Sequence, residues 1–171
     1  MFIHGGWWRS LDKPDFSFIA PAYTRVGINV ALLNYTLAPQ ATLAEITLQQ
    51  LRALAWLYRN ARKYDFDPQR IVLSGHSAGA HLSAMLMTAL WPLYGDDLSQ
   101  DLIRAGIVLS GLYDMETVRR SDYVNWILKL TAASVNALSP ALMPKSHAAP
   151  FIAAVGGLES DEFKRQNGLI G

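Results

Sequence analysis

The order of segments in this 171-residue chain predicts an α/β fold built on a mostly parallel sheet, and three observations carry the prediction. Short apolar or β-branched runs recur between longer stretches of helical character: Met1 to His4, Ile28 to Tyr35, Arg70 to Leu73, Ile103 to Ser110 and Phe151 to Val155. The second of these is apolar enough to lie inside a sheet with helices on both faces. His4, Ser77, Gly111 and Glu159 all fall at or just past the ends of such runs, where sheets of this kind place their ligands.

Composition narrows the function classes. The chain is 51% hydrophobic and 17% charged, enough apolar surface for one sizeable core. A net charge of +1 gives no reason to expect a nucleic acid or an anionic membrane as partner. Absence of cysteine excludes a disulfide framework, a thiol nucleophile and a Cys-ligated zinc site within these residues. No run of about 18 apolar residues is present, and Met1 to His4 lacks the basic and long apolar regions of a signal peptide. A cytoplasmic location is the expectation.

Taken in order, Met1 to His4 reads as the end of a buried strand that stops at Gly5-Gly6-Trp7-Trp8. Pro14 to Val26 is expected to be helical, with Asp12 as a cap and Gly27 as its end. After the second strand, Leu43 to Lys63 is the clearest helix, because Leu51, Leu54, Ala55 and Tyr58 recur at i, i+3, i+4 and i+7. Asp65-Phe66-Asp67-Pro68 turns the chain into the strand before Ser74, and Ala80 to Leu90 supplies the helix behind it. Trp91-Pro92 and Gly95-Asp96-Asp97 break the chain before the next strand. The stretch from about 112 to 144 has helical and polar pieces without strand character, and reads as an insertion over the site in a single domain spanning 1–171. Glu162 to Asn167 reads as a final helix start. The chain opens in mid-strand, so leading strands are expected to lie outside it.

The chemistry centres on Gly75-His76-Ser77-Ala78-Gly79, placed between a strand and a helix as a nucleophile elbow requires. Glycines at both ends of the motif permit a strained turn and a close helix–strand approach, which lifts the Ser77 hydroxyl above the sheet. His4-Gly5-Gly6 after the first strand matches an oxyanion loop, in which backbone N–H groups turn toward a developing alkoxide. A serine nucleophile needs a base, and the base an orienting carboxylate, in the chain order Ser, Asp or Glu, His. Glu159 follows the late strand and the Gly156-Gly157 turn and is the favoured acid, with Asp161 as runner-up and Glu162 nearby. Acidic residues there also suit the start of a helix. No histidine follows residue 147: His147 precedes the acid, His76 flanks the nucleophile and His81 is expected to pack against the sheet. A further strand carrying the histidine is therefore expected beyond these residues.

These motifs, with Asn34-Tyr35-Thr36-Leu37-Ala38-Pro39, Ser110-Gly111-Leu112-Tyr113-Asp114, Val124-Asn125, Ser139-Pro140 and Glu159 to Gln166, span nearly the whole chain. Together they resemble α/β-hydrolases of the kynurenine formamidase (arylformamidase) group, related to hormone-sensitive-lipase-like esterases. The resemblance implies part of an α/β-hydrolase fold, a three-layer αβα sandwich. It implies Ser77 as nucleophile, Glu159 as acid where the family commonly has Asp, and an oxyanion hole from Gly6, Trp7 and Ala78. It further implies cleavage of N-formyl-kynurenine to kynurenine and formate, with small aryl or acyl esters as side substrates, and neither metal nor cofactor. A general carboxylesterase and a non-catalytic binding protein on the same fold are the alternative readings. His4, Gly5, Trp8, His76 and Tyr113 are candidates for substrate contact, and Trp7, Trp8, Tyr113 and Trp126 for an aromatic pocket. The expected partner is a small molecule, and a homodimer is compatible with that reading.

Overall fold

The computed structural model describes every residue except Lys145, His147 and Gly171. Five strands form one parallel sheet in the order β2-β1-β3-β4-β5: β1 (Phe2–Ile3), β2 (Leu32–Leu33), β3 (Ile71–His76), β4 (Ile103–Leu109) and β5 (Phe151–Ala154). The helices among them are α1 (Ala20–Thr24), α2 (Leu43–Arg59), α3 (Ala78–Thr88), α4 (Trp91–Tyr94), α5 (Met115–Arg119), α6 (Asp122–Leu128), α7 (Ala132–Ala137) and α8 (Asp161–Ile170). An element order that alternates strand and helix thus gives the parallel sheet that the sequence predicts.

Helix α2 begins where Thr42 and Glu45 cap each other, the Thr42 hydroxyl accepting from the Glu45 N–H and Glu45 accepting from the Thr42 N–H. Leu43, Ile46, Thr47, Gln50, Leu54 and Ala55 form its buried stripe. The helix stops at Arg59, short of the expected Lys63, because the chain tightens into a 3-10 turn over Ala61–Tyr64 and Asp65 takes a left-handed φ of 52°. Likewise Pro14 to Val26 divides into a 3-10 segment, Lys13–Ile19, and the single helical turn α1.

Alternation along β3 and β4 defines two unlike faces of the sheet. Leu73 and Val108 are buried on the face covered by α3, which α2 packs against. On the other face, Val72, Ile107, Leu109 and Ile152 are exposed, the last at 59%. Among the described residues this second face is covered at the β1–β2 end, where the 3-10 segment sets Phe16 against Phe2 with ring centroids 5.5 Å apart. The second strand is shorter than Ile28 to Tyr35. Among the described residues it pairs only with the two residues of β1, Ile28 is exposed and the Asn29 side-chain amide donates to the Asp65 carbonyl. Within 112–144 lie α5, α6, α7 and a 3-10 turn, Pro140–Leu142. No helix among the described residues is long and apolar enough to cross a membrane.

Candidate active site

Ser77 stands between β3 and α3 with φ 56° and ψ −117°, a conformation that a non-glycine residue adopts only at a cost of about 1–3 kcal/mol. Two contacts enforce it. The Ser77 N–H donates to the Leu109 carbonyl at the end of β4 (2.8 Å), and α3 crosses β1 so closely that a Cβ at Gly79 would overlap the Ile3 carbonyl. A Cβ at Gly75 would collide with the Gly79 carbonyl, so the two glycines pack against each other across the turn. Ser77 itself is half-buried.

The loop after β1 lies directly against this turn: a Cβ at Gly5 would sit 3.2 Å from the Ser77 Cβ and 3.2 Å from His76 Nδ1. Gly6, Trp7 and Trp8 all have positive φ (108°, 54° and 57°), three successive residues in a left-handed path. Such a path turns consecutive N–H groups toward one side and suits an anion. Among the described residues, the N–H groups of Gly6, Trp7 and Ala78 donate to no protein acceptor, as an oxyanion hole requires. Tyr35 braces the loop. Its hydroxyl donates to the carbonyls of His4 (3.1 Å) and Gly5 (3.3 Å), and its ring stacks on His4 at 4.4 Å. Trp8 adds a second anchor, its carbonyl accepting from the Ala38 N–H at 2.8 Å.

Glu159 hangs from the turn after β5. Its Oε1 accepts from the Ser110 hydroxyl (2.6 Å) and from the Gly156 N–H (2.8 Å), while Oε2 has no partner among the described residues. The Ser110 hydroxyl, the Gly156 N–H and the nearby His76 hold the Glu159 carboxyl below the usual range, against a smaller opposing effect of desolvation. Asp161 instead points into solvent in the first turn of α8 and pairs with Lys164 at 3.6 Å. Glu162 is bound by Arg165 and Gln166, and the Arg165 guanidinium is the main reason its carboxyl falls to about 2. Both behave as helix-start acids.

Three candidates for substrate contact are buried. His4 is 1% exposed, with Nδ1 2.7 Å from the Gly5 carbonyl, and shores up the loop from below. Trp8 is fully buried and meets His81 edge-on at 5.2 Å. Tyr113 is fully buried beside Ala80, Ala84 and Val108, where desolvation raises the pKa of its hydroxyl. Gly5 and His76 do border Ser77, and His76 is exposed. Trp126 is exposed on α6, at 68%, and makes no ring contact among the described residues. Trp7, half-buried, stands edge-on to Tyr123 of α6 (6.2 Å) and to Phe163 of α8 (6.3 Å). Tyr123 also lies under the Arg9 guanidinium, 4.5 Å from it. Tyr123 belongs to none of the motifs and Phe163 only to the Glu159 to Gln166 stretch, and neither is marked in the sequence as a partner of Trp7.

The histidines divide sharply. His81 is fully buried on α3, with Nε2 2.8 Å from the Leu138 carbonyl, and burial lowers its pKa to about 4. It packs as expected, though against Trp8 and the Leu138 carbonyl. No hydrogen bond joins His76 to Ser77 or Glu159 among the described residues, and His147 lies outside them. Those residues also hold no group of three or more His, Asp or Glu able to bind a metal.

Comparison with known proteins places this geometry in a lineage. The family model described as BD-FAE matches residues 1–95. A kynurenine formamidase of Salmo salar is 30% identical over 172 aligned residues, covering 98% of this chain and 56% of that protein. The solved structure of a Silicibacter protein provisionally described as a thioesterase is 32% identical, with a TM-score of 0.85 over 99% of this chain and 61% of the other. An esterase of Thermogutta terrifontis shares the fold with a TM-score of 0.67 at 22% identity, over 89% of this chain and 58% of its own. The chain thus spans about half the length of the curated relatives it matches.

Proposed function

The chain belongs to the BD-FAE family of α/β-hydrolases, related to kynurenine formamidases and esterases, and from that premise we propose that it carries the nucleophile and the acid of a serine hydrolase acting on aryl formamides. The observation that carries the reading is the strained Ser77, set beside three N–H groups that donate to nothing else in the described residues. In the proposed reaction the Ser77 hydroxyl attacks the formyl carbonyl while a histidine base, oriented by Glu159, takes its proton. The N–H groups of Gly6, Trp7 and Ala78 hold the alkoxide, each donor contributing about 3–4 kcal/mol to lowering the barrier. The protonated base then gives its proton to the leaving aryl amine, and water releases formate from the serine ester.

Support for N-formyl-kynurenine as substrate comes from the similarity to kynurenine formamidases over 98% of the chain and from the aromatic cluster of Trp7, Tyr123 and Phe163, which begins in the loop next to Ser77 and would suit an aryl group. Ester hydrolysis is the second reading, favoured by the esterase among the structural relatives, because the same serine and amides would serve an ester carbonyl. The native protein is to be assayed with N-formyl-kynurenine and with 4-nitrophenyl acetate, alongside Ser77→Ala. Loss of at least about 10³-fold in kcat for both substrates is expected of the variant. An unchanged rate would overturn Ser77 as nucleophile. A kcat/KM higher for the ester would favour the second reading.

A further inference from the structure

One residue at the site is used by none of the steps above, although its geometry is unusual. Ser110 follows β4, is 8% exposed and has φ 52°, a left-handed backbone without the glycine that would make it easy. Its N–H donates to the Ala154 carbonyl at the end of β5 (2.8 Å), and its hydroxyl donates to Oε1 of Glu159 (2.6 Å). The preceding carbonyl, of Leu109, accepts from the Ser77 N–H (2.8 Å). Two adjacent residues at the end of one strand therefore touch both the nucleophile's backbone and the acid's carboxylate.

A carboxylate can orient a base only if its own rotation is stopped. Glu159 is half-exposed, and a free glutamate side chain there would sample several rotamers. Two donors converge on Oε1, the Ser110 hydroxyl and the Gly156 N–H, and none among the described residues on Oε2. We propose that Ser110 is the positioning residue for the acid, fixing Oε1 of Glu159 so that Oε2 alone is presented to the base. The inference rests on the reading of Glu159 as the acid. The strained turn after β4 then has a purpose, since it ties the acid to the strand that also holds the nucleophile.

The test compares Ser110→Ala, Ser110→Gly and Glu159→Gln in the native protein. Alanine keeps the Cβ and the strained φ but loses the hydroxyl; glycine loses the hydroxyl and relieves the strain. Loss of a hydrogen bond to a charged group should lower kcat roughly 10-fold or more in both Ser110 variants, with KM within about twofold. The ¹³C resonance of the Glu159 carboxyl should titrate at a higher pH in both, which a purely structural role for Ser110 would not produce. Wild-type kcat in either Ser110 variant, or an unmoved Glu159 titration, would overturn the role of Ser110. If the alanine variant does not fold, the glycine variant decides alone. Wild-type activity in Glu159→Gln would instead overturn the acid assignment itself, whereas an inactive Glu159→Gln beside an active Ser110→Gly leaves that assignment standing and removes only Ser110.

Discussion

Ser77 and Glu159, the proposed nucleophile and acid, are held in place by different physics. Around Ser77 the constraint is steric: backbone crosses backbone at Gly75, Gly79 and Ile3 with no room for a methyl group, and the flanking Leu73, Ala78, Ala80 and Leu82 are buried. Around Glu159 it is polar. Oε1 hangs from two donors, Leu158 beside it is exposed, and α8 is tied to the rest by Gln166, Asn167 and Arg165 through hydrogen bonds. Packing of the first kind is all-or-none, since a close-packed contact cannot yield by a fraction of an ångström without moving a whole element. Hydrogen-bonded placement degrades by steps as single donors are removed. Substitutions at the elbow should therefore unfold the chain before they tune it, and substitutions around the acid should tune it first.

The largest expected effect tests the steric half. At an exposed helical position, Gly→Ala stabilises by about 1 kcal/mol. Gly79→Ala should do the opposite, because its methyl group would overlap the Ile3 carbonyl and lie 2.7 Å from that of His4. A loss of about 3 kcal/mol, the upper range for forcing extra atoms into a packed site, is expected from urea unfolding midpoints. A variant as stable as the parent would mean that α3 can slide on β1, and the distinction between the halves would fall.

The same difference decides what is legible in the sequence. Steric necessity writes itself as glycine at fixed spacing, so Gly75, Ser77 and Gly79 identify the elbow, and Gly5 and Gly6 the loop, before any coordinates are known. Polar placement leaves a fainter trace: Glu159 is legible as an acid after a strand, but not the group that holds it. Ser110 lies 49 residues from Glu159, and a serine at the end of a strand is unremarkable in isolation. Tyr35 under the loop, and Tyr123 and Phe163 beside Trp7, are equally invisible to periodicity, because nothing local marks which aromatics will meet. Membership of a motif does not tell which way a side chain faces: Trp8 and Tyr113 lie in or beside the motif stretches and are fully buried. The sequence overstates the length of β2 because apolar content alone does not say whether a partner strand is there to pair.

The polar half has its own anchor in Gln166, which is fully buried on α8. Its Oε1 accepts from the N–H groups of Tyr113 (2.7 Å) and Asp114 (2.8 Å), and its amide donates to the Asp114 carbonyl (3.1 Å) and to Glu162 (2.8 Å). Gln166→Leu preserves the volume and removes every one of these bonds, leaving two backbone donors without an acceptor. The expected cost is about 2 kcal/mol, below that of Gly79→Ala. Because α8 follows directly on Glu159, kcat should fall as well, in a protein still folded at the assay temperature. A fall in stability with kcat unchanged would show that the acid turn is held by Ser110 and Gly156 without help from α8, which sharpens the comparison by shrinking the polar half to three residues.

His81 is a polar group inside the packed half, and its titration gives the most graded effect. In the folded chain it stays neutral down to about 4, held so chiefly by burial, whereas an unfolded histidine takes up its proton near 6.5. Across that window the unfolded state binds more protons, so stability is complete above pH 6.5 and is lost as the pH falls toward 4. The slope is roughly 1.4 kcal/mol per pH unit for one proton. His81→Gln keeps an amide N–H for the Leu138 carbonyl and cannot titrate. It should be somewhat less stable than the parent at pH 7, through poorer packing on Trp8, and should lose less on going to pH 5. Subtracting the two urea midpoint series removes the carboxylates common to both and leaves the contribution of His81. Parallel series would mean that the elbow helix opens enough to admit a proton without unfolding, and the packed half would then owe its rigidity to the glycine contacts alone.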